Sequence, residues 1–172
     1  KRLRPLTKNC PKPMVKIGDK PLLEILIRNL KKDGIKNFYI SVNYLKSQII
    51  DYFGSGEKLG VEIEYLFEDE PLGTAGSLSL LPQDIFSPFL VINGDVLSKV
   101  NLKSLSKFHF NKKSIATVCV KDHKIKIPFG VIKSEGSFLS EFLEKPKFSY
   151  LINAGIYIIE PEILDFLKPN IY

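Results

Sequence analysis

The chain has 172 residues, with 25 Lys plus Arg against 19 Asp plus Glu and a formal net charge of +6. Apolar residues at 44% and charged residues at 26% are the proportions of a folded globular chain and exclude a disordered one. Two Cys and two His exclude a disulfide scaffold and a His-based zinc site, and the apolar runs stop well short of the ~20 residues of a membrane helix.

This length suits one domain spanning residues 1–172. No charged-then-apolar leader is visible, so a soluble, cytoplasmic domain with no membrane partner is expected. The positive excess permits anionic ligands. The lysines of residues 103–113 are spaced as on a solvated helix face, and Tyr and Phe follow core periodicity, so no nucleic-acid partner is expected. A homo-oligomer stays open.

In chain order, Pro21 to Lys32 carries Leu22, Leu23, Leu26, Ile27 and Leu30 on one helical stripe, with Pro21 at the start and Gly34 as the stop. Residues 36–42 read as a strand, Leu45 to Phe53 as a short helix closed by Gly54 and Gly56, and Val61 to Phe67 as a second strand. Ala75 to Leu81 reads as a short helix. Pro88 to Ile92 is an almost wholly apolar strand of the kind buried on both faces. Leu102 to Asn111 is a further helix and Ser114 to Val120 a further strand. Alternation of strand and helix predicts an α/β fold with a mostly parallel sheet and right-handed crossovers. From Phe129 the pattern turns to antiparallel additions: two strands around a Glu135-Gly136 turn, then Ile152 to Ile159.

The chemistry-bearing segments begin with residues 1–13, where Arg2, Arg4, Lys8 and Lys12 lie in an irregular stretch held by three prolines. Prolines limit the entropy lost when cations gather around an anion, and Arg and Lys suit phosphate oxygens. The segment therefore reads as a polyphosphate site, or as a frayed basic terminus. Glu68 to Gly76 is a glycine-containing turn between a strand and a helix, where backbone N–H groups can face a ligand. Val91 to Asp95 is a strand ending in a turn and a carboxylate. Ligands of open α/β sheets gather at such carboxyl ends, and a single Asp there suits Mg²⁺ or caps the helix near Asn101.

Arg-Leu-Arg-Pro-Leu-Thr followed by Pro-Lys-Pro resembles the signature of the sugar-phosphate nucleotidyltransferases, most closely the mannose-1-phosphate guanylyltransferase type, and four further motifs follow in family order. The resemblance implies a Rossmann-like three-layer α/β/α sandwich, the nucleotide-diphospho-sugar transferase fold. It also implies an enzyme that joins a nucleoside triphosphate to a sugar 1-phosphate, giving a nucleotide-sugar and pyrophosphate. Such a reaction rests on positioning and electrostatic stabilisation and needs no covalent nucleophile.

Carried over motif by motif, Arg2 binds the triphosphate tail and Lys12 approaches the reacting phosphates. Gly73 and Thr74 pack against the base, and Asp95 is the first ligand of Mg²⁺, the implied cofactor. Glu68 stands where several relatives reading uracil or thymine have Gln. A carboxylate only accepts, matching the adjacent N1–H and N2–H donors of guanine, so GTP is favoured. Glu70 is the rival for that role, and a solvated loop acid is the other reading of Glu68. Gly130 lets sugar hydroxyls sit against backbone, Glu144 accepts from them, Lys145 binds the sugar phosphate and Asn153 reaches the sugar. Outside the family pattern, Glu144 and Lys145 read as a surface ion pair.

The family pattern also has a strand and a Gly-Gly-x-Gly turn ahead of the Arg2 segment and a second acidic metal ligand downstream, none of which this sequence contains. The expectation is a domain lacking its first strand and C-terminal part, which exposes an unpaired sheet edge. The alternatives are a relative using UTP, dTTP or CTP, or a non-catalytic nucleotide-sugar-binding domain. Cys119 reads as core, Cys10 as a loop thiol, and His109 and His123 as surface groups without partners.

Overall fold

The computed structural model describes residues 9–167. The chain divides into two compact units, one built from residues up to Thr117 and from Tyr157 onward, the other from Val118–Ile156.

The first unit opens with a 3-10 turn at Lys12–Met14 and a small antiparallel pair, β1 (Lys16–Ile17) and β2 (Lys20–Pro21). Helix α1 (Leu22–Lys32) follows, with Pro21 as its N-cap residue. It buries Leu23, Leu26, Ile27 and Leu30, the stripe the sequence predicts; each such side chain contributes roughly 1.5–3 kcal/mol. Its end is a Schellman motif: Gly34, at φ +98°, donates N–H to the Lys31 carbonyl at 3.0 Å, and Ile35 donates to Leu30 at 3.1 Å.

Strand β3 (Asn37–Val42), helix α2 (Lys46–Phe53) and strand β4 (Glu62–Phe67) come next. β3 and β4 pair in parallel from Asn37↔Glu62 to Val42↔Phe67. Val42, Ile49, Phe53, Val61 and Ile63 join the α1 stripe in one core. Glu24 is buried beside that core, where its carboxylate accepts from Tyr52 Oη and from Arg28 Nε, each at 2.6 Å, tying α1 to α2.

The predicted helix from Ala75 to Leu81 is instead a single α turn, α3 (Gly73–Gly76), running into a 3-10 turn at Ser77–Leu80. Two glycines within four residues weaken helix propagation. Strand β5 (Phe89–Ile92), helix α4 (Leu102–Lys112) and strand β6 (Ala116–Lys126) follow. Every residue of β5 is only half-buried, unlike the two-faced burial its composition predicts.

His109 departs most from expectation. It is wholly buried, not a surface group: Nδ1 meets Thr117 Oγ1 at 2.8 Å and Nε2 meets Glu160 Oε1 at 2.9 Å. On α4 it falls on the same inward stripe as Leu105 and Leu102, four and seven residues back.

In the second unit, β7 (Val131–Glu135) and β8 (Phe138–Leu143) form an antiparallel hairpin closed by Gly136 at φ +61°, with a register shift between Lys133 and Ser134. The final strand is β9 (Lys147–Ile159), which leads to a 3-10 turn at Pro161–Phe166. Strand order β5-β9-β6 defines the three-stranded sheet. Cys119 is half-buried, and burial pushes its thiol pKa up. Among the described residues no helix is long and apolar enough to cross a membrane.

Candidate functional site

Three turns of the first unit carry the predicted nucleotide-side residues. Lys12 opens the 3-10 turn after Pro11, a proline-bounded position with little freedom to wander. Asp95 stands just past the carboxyl end of β5, in a turn where Val96 N–H donates to the Asn93 carbonyl at 3.0 Å. These turns meet: Lys12 Nζ lies 3.8 Å from Asp95 Oδ2, with the side chains 52% and 42% exposed. The approach is backed by packing, because a Cβ added at Gly94 would stand 3.4 Å from the Pro13 ring. Asp95 is not the cap of α4; Asn101 is, its Oδ1 accepting from Ser104 N–H at 2.9 Å.

The third turn follows β4. Glu68 sits at its start with both carboxylate oxygens engaged: Oε1 accepts from Ser41 Oγ, and Oε2 accepts from the Leu72 N–H at 2.9 Å. Asn43 Nδ2 adds a bond to the Glu68 carbonyl at 2.9 Å. The Glu68 side chain thus closes the 68–72 turn and ties it to the end of β3. Gly73 follows at φ +71°, a conformation that favours glycine, and is exposed. Thr74 is the second residue of α3; its side chain lies outside the description. Glu70 is exposed on the same turn. Pro13, Glu68, Gly73, Asn93 and Gly94 border one cavity of about 960 Å³.

Ser41 and Asn43 are positioning residues that the sequence reading passed over. Their signal is visible in retrospect: polar side chains two apart at the carboxyl end of an otherwise apolar strand share one face.

Arg2 lies outside the described residues. The second unit carries the remaining predicted residues. Gly130 precedes β7, and a Cβ there would meet the Phe142 ring at 2.8 Å and Glu144 Oε2 at 3.3 Å, so a side chain is excluded unless that ring moves. Glu144 and Lys145 follow β8 and pair at 3.5 Å while remaining about 60% exposed. Lys145 adopts φ +44° immediately before Pro146, a placement that costs energy for any L residue and is worse before proline. Asn153 is exposed in β9, its Oδ1 accepting from Gly155 N–H at 2.8 Å. Gly130 and the Glu144–Lys145 pair are therefore brought together.

A family model described as nucleotidyl transferase matches residues 1–171. A rice (Oryza sativa subsp. japonica) probable mannose-1-phosphate guanylyltransferase 3 is 38% identical over 98% of this chain and 50% of its own length. A Synechocystis UTP–glucose-1-phosphate uridylyltransferase is 35% identical over 96% of this chain and 48% of its own. Among solved structures, HddC from Yersinia pseudotuberculosis superposes with a TM-score of 0.76 at 26% identity, covering 99% of this chain and 76% of that one. The chain belongs to the sugar-phosphate nucleotidyltransferase family and has the nucleotide-diphospho-sugar transferase fold, with parallel and antiparallel pairing in one α/β chain. It spans about half the length of the curated relatives it matches.

Proposed function

We propose that the protein transfers a nucleotidyl group from GTP to a sugar 1-phosphate. An oxygen of the sugar phosphate attacks the α-phosphorus of the triphosphate, a new P–O bond forms, and the bond to pyrophosphate breaks. The observation that carries this reading is the convergence of Lys12 and Asp95 at 3.8 Å on the carboxyl-end turn of β5. A cation and a carboxylate held together yet half-exposed suit a site that must neutralise growing negative charge on a departing anion.

Asp95 fits Mg²⁺ as the cofactor. One exposed carboxylate just past the carboxyl end of β5 is the kind of protein ligation Mg²⁺ takes alongside phosphate oxygens and water. Bound by Asp95, the ion would offset phosphate charge. Lys12, beside Asp95, would approach the reacting phosphates, and Arg2 would hold the triphosphate tail from the other side. Gly73 and Thr74 would take the base. Glu144, Lys145, Gly130 and Asn153 would serve the sugar phosphate.

GTP is supported by the guanylyltransferase relatives and by the HddC structure complexed with GMP-PN, at TM-score 0.74 and 26% identity. UTP is the second reading. Glu68 spends one acceptor position of each oxygen inside the protein, which leaves less of it for a base, and the Synechocystis relative carries UTP in its name. Pyrophosphate release from GTP, UTP, dTTP and CTP, each with mannose and glucose 1-phosphates, tests both. Preference for GTP supports the first, equal use of GTP and UTP removes the Glu68 argument, and no release with any pair points to a binding domain.

A further inference from the structure

Phe142 of β8 is 59% exposed, yet its ring is held from one side: a Cβ added at Gly130 would stand 2.8 Å from the ring tip. That same Cβ would stand 3.3 Å from Glu144 Oε2, so an aromatic ring and a carboxylate converge over one glycine. Lys145 comes next, its ammonium 3.5 Å from the Glu144 carboxylate. Ile132, the cross-strand partner of Phe142, is also 59% exposed; directly opposed residues share a face, so it widens the apolar floor. All of these residues belong to the second unit.

Exposure alone does not single Phe142 out, since Phe138 on the same strand is 81% exposed. The neighbours do. A phenyl group kept only for packing gains by leaving water, and Phe142 keeps more than half of its surface there. A hexopyranose 1-phosphate presents three surfaces close together: a face of C–H groups, a rim of hydroxyls and a phosphate. The negative face of an aromatic ring attracts polarised C–H groups, a carboxylate accepts from hydroxyls, and an ammonium binds phosphate. Phe142, Glu144 and Lys145 supply those three partners from one short run of chain.

We propose that Phe142 determines sugar specificity: the C–H face of the pyranose lies on its phenyl ring, while Glu144 accepts from the hydroxyl rim and Lys145 holds the phosphate. The proposal rests on the assignment of Glu144 and Lys145 to the sugar phosphate and adds the platform on which the sugar is laid. Gly130 gains a further reason to lack a side chain, because a Cβ there would push the ring out of place. Such a platform selects a cyclic sugar phosphate over an acyclic polyol phosphate, which carries hydroxyls and phosphate but no C–H face to stack.

NMR titration of the 172-residue chain, read at the Gly130 and Lys145 amides, tests it with mannose 1-phosphate, glycerol 1-phosphate and inorganic phosphate as probes. Phe142→Ala and Phe142→Leu are each expected to weaken mannose 1-phosphate at least about tenfold, while Phe142→Tyr, which keeps the ring, stays within about twofold of wild type. Glycerol 1-phosphate and inorganic phosphate are expected to bind all four proteins within about twofold of one another. Wild-type affinity in Phe142→Ala, equal affinity in the Leu and Tyr variants, or no binding of mannose 1-phosphate to the wild type overturns the proposal. A parallel fall for inorganic phosphate also overturns it, because the ring would then merely support Lys145. Ring-dependent binding without pyrophosphate release from any triphosphate leaves the platform standing and removes the transfer reaction. In a form that turns over, an unchanged KM for mannose 1-phosphate in Phe142→Ala removes the platform and leaves the reaction.

Discussion

Lys12 Nζ and Asp95 Oδ2 stand 3.8 Å apart although they belong to turns widely separated in sequence, one before α1 and the other after β5. Both side chains are about half in water, where an ion pair contributes roughly 0–1 kcal/mol. Stability does not explain the pairing. Lys12→Ala and Asp95→Asn are each expected to change the free energy of urea unfolding by less than about 1 kcal/mol, and larger losses would make the pair structural.

Glu68 anchors a turn, and its substitution separates anchoring from base reading. Glu68→Gln replaces an acceptor-only group with one that also donates: its oxygen can still accept from Leu72 N–H, while its amide N–H donates to Ser41 Oγ, which must turn its own proton away. Exchange of charge-assisted bonds for neutral ones is expected to cost about 1 kcal/mol in urea unfolding, similar to Ser41→Ala. If the carboxylate also reads guanine, the GTP-over-UTP ratio of kcat/KM falls in Glu68→Gln and holds in Ser41→Ala. An equal fall in both assigns Glu68 to positioning alone.

The Glu24–Tyr52 bond between α1 and α2 sets a pH dependence. Burial works against the charged carboxylate of Glu24, yet hydrogen bonds from Tyr52 and Arg28 outweigh it and hold its pKa below 4.5. The stability this adds is complete above that value and is lost as pH falls through the lower folded pKa. The hydrogen bond to Glu24, then burial, raises the Tyr52 pKa above 10, so that contribution is complete below pH 10 and lost at higher pH. In thermal denaturation against pH, Glu24→Gln is expected to flatten the acid limb and Tyr52→Phe the alkaline one. Unchanged limbs would contradict the assignment.

His109 joins α4 to Thr117 of β6 and to Glu160 beyond β9, with both ring nitrogens engaged and no exposure. His109→Ala leaves a cavity and strands two polar partners, for an expected loss on the order of 3 kcal/mol. Thr117→Val, which keeps the shape, is expected to cost about 1 kcal/mol. Calorimetric unfolding of both variants checks the ranking, and no loss in Thr117→Val would mean the ring contributes packing alone.

Periodicity made the first unit legible where one face alone decides burial. The α1 stripe and the Gly34 stop follow from side-chain spacing and a left-handed turn, and both stand in the structure. It misled at β5, whose apolar composition predicts burial on both faces while each of its residues is half-buried. His109 was missed because its partners come from other elements, although its place on the Leu102–Leu105 stripe marked it as inward. The division into two units was hidden because its boundaries fall inside β6 and β9, where no linker composition announces them. Of the site, the Lys12–Asp95 meeting was legible through resemblance rather than spacing. The Ser41–Glu68–Leu72 network depends on strand register and turn geometry that composition does not encode.

Pyrophosphate release by Lys12→Ala, Asp95→Asn and the double variant, in a form of the protein that turns over, is the most direct measurement. Each single change is predicted to lower kcat/KM at least about tenfold, roughly 1.4 kcal/mol, with the double falling short of the product of the two. Wild-type rates in both single variants would contradict a shared role for these two side chains at the reacting phosphates.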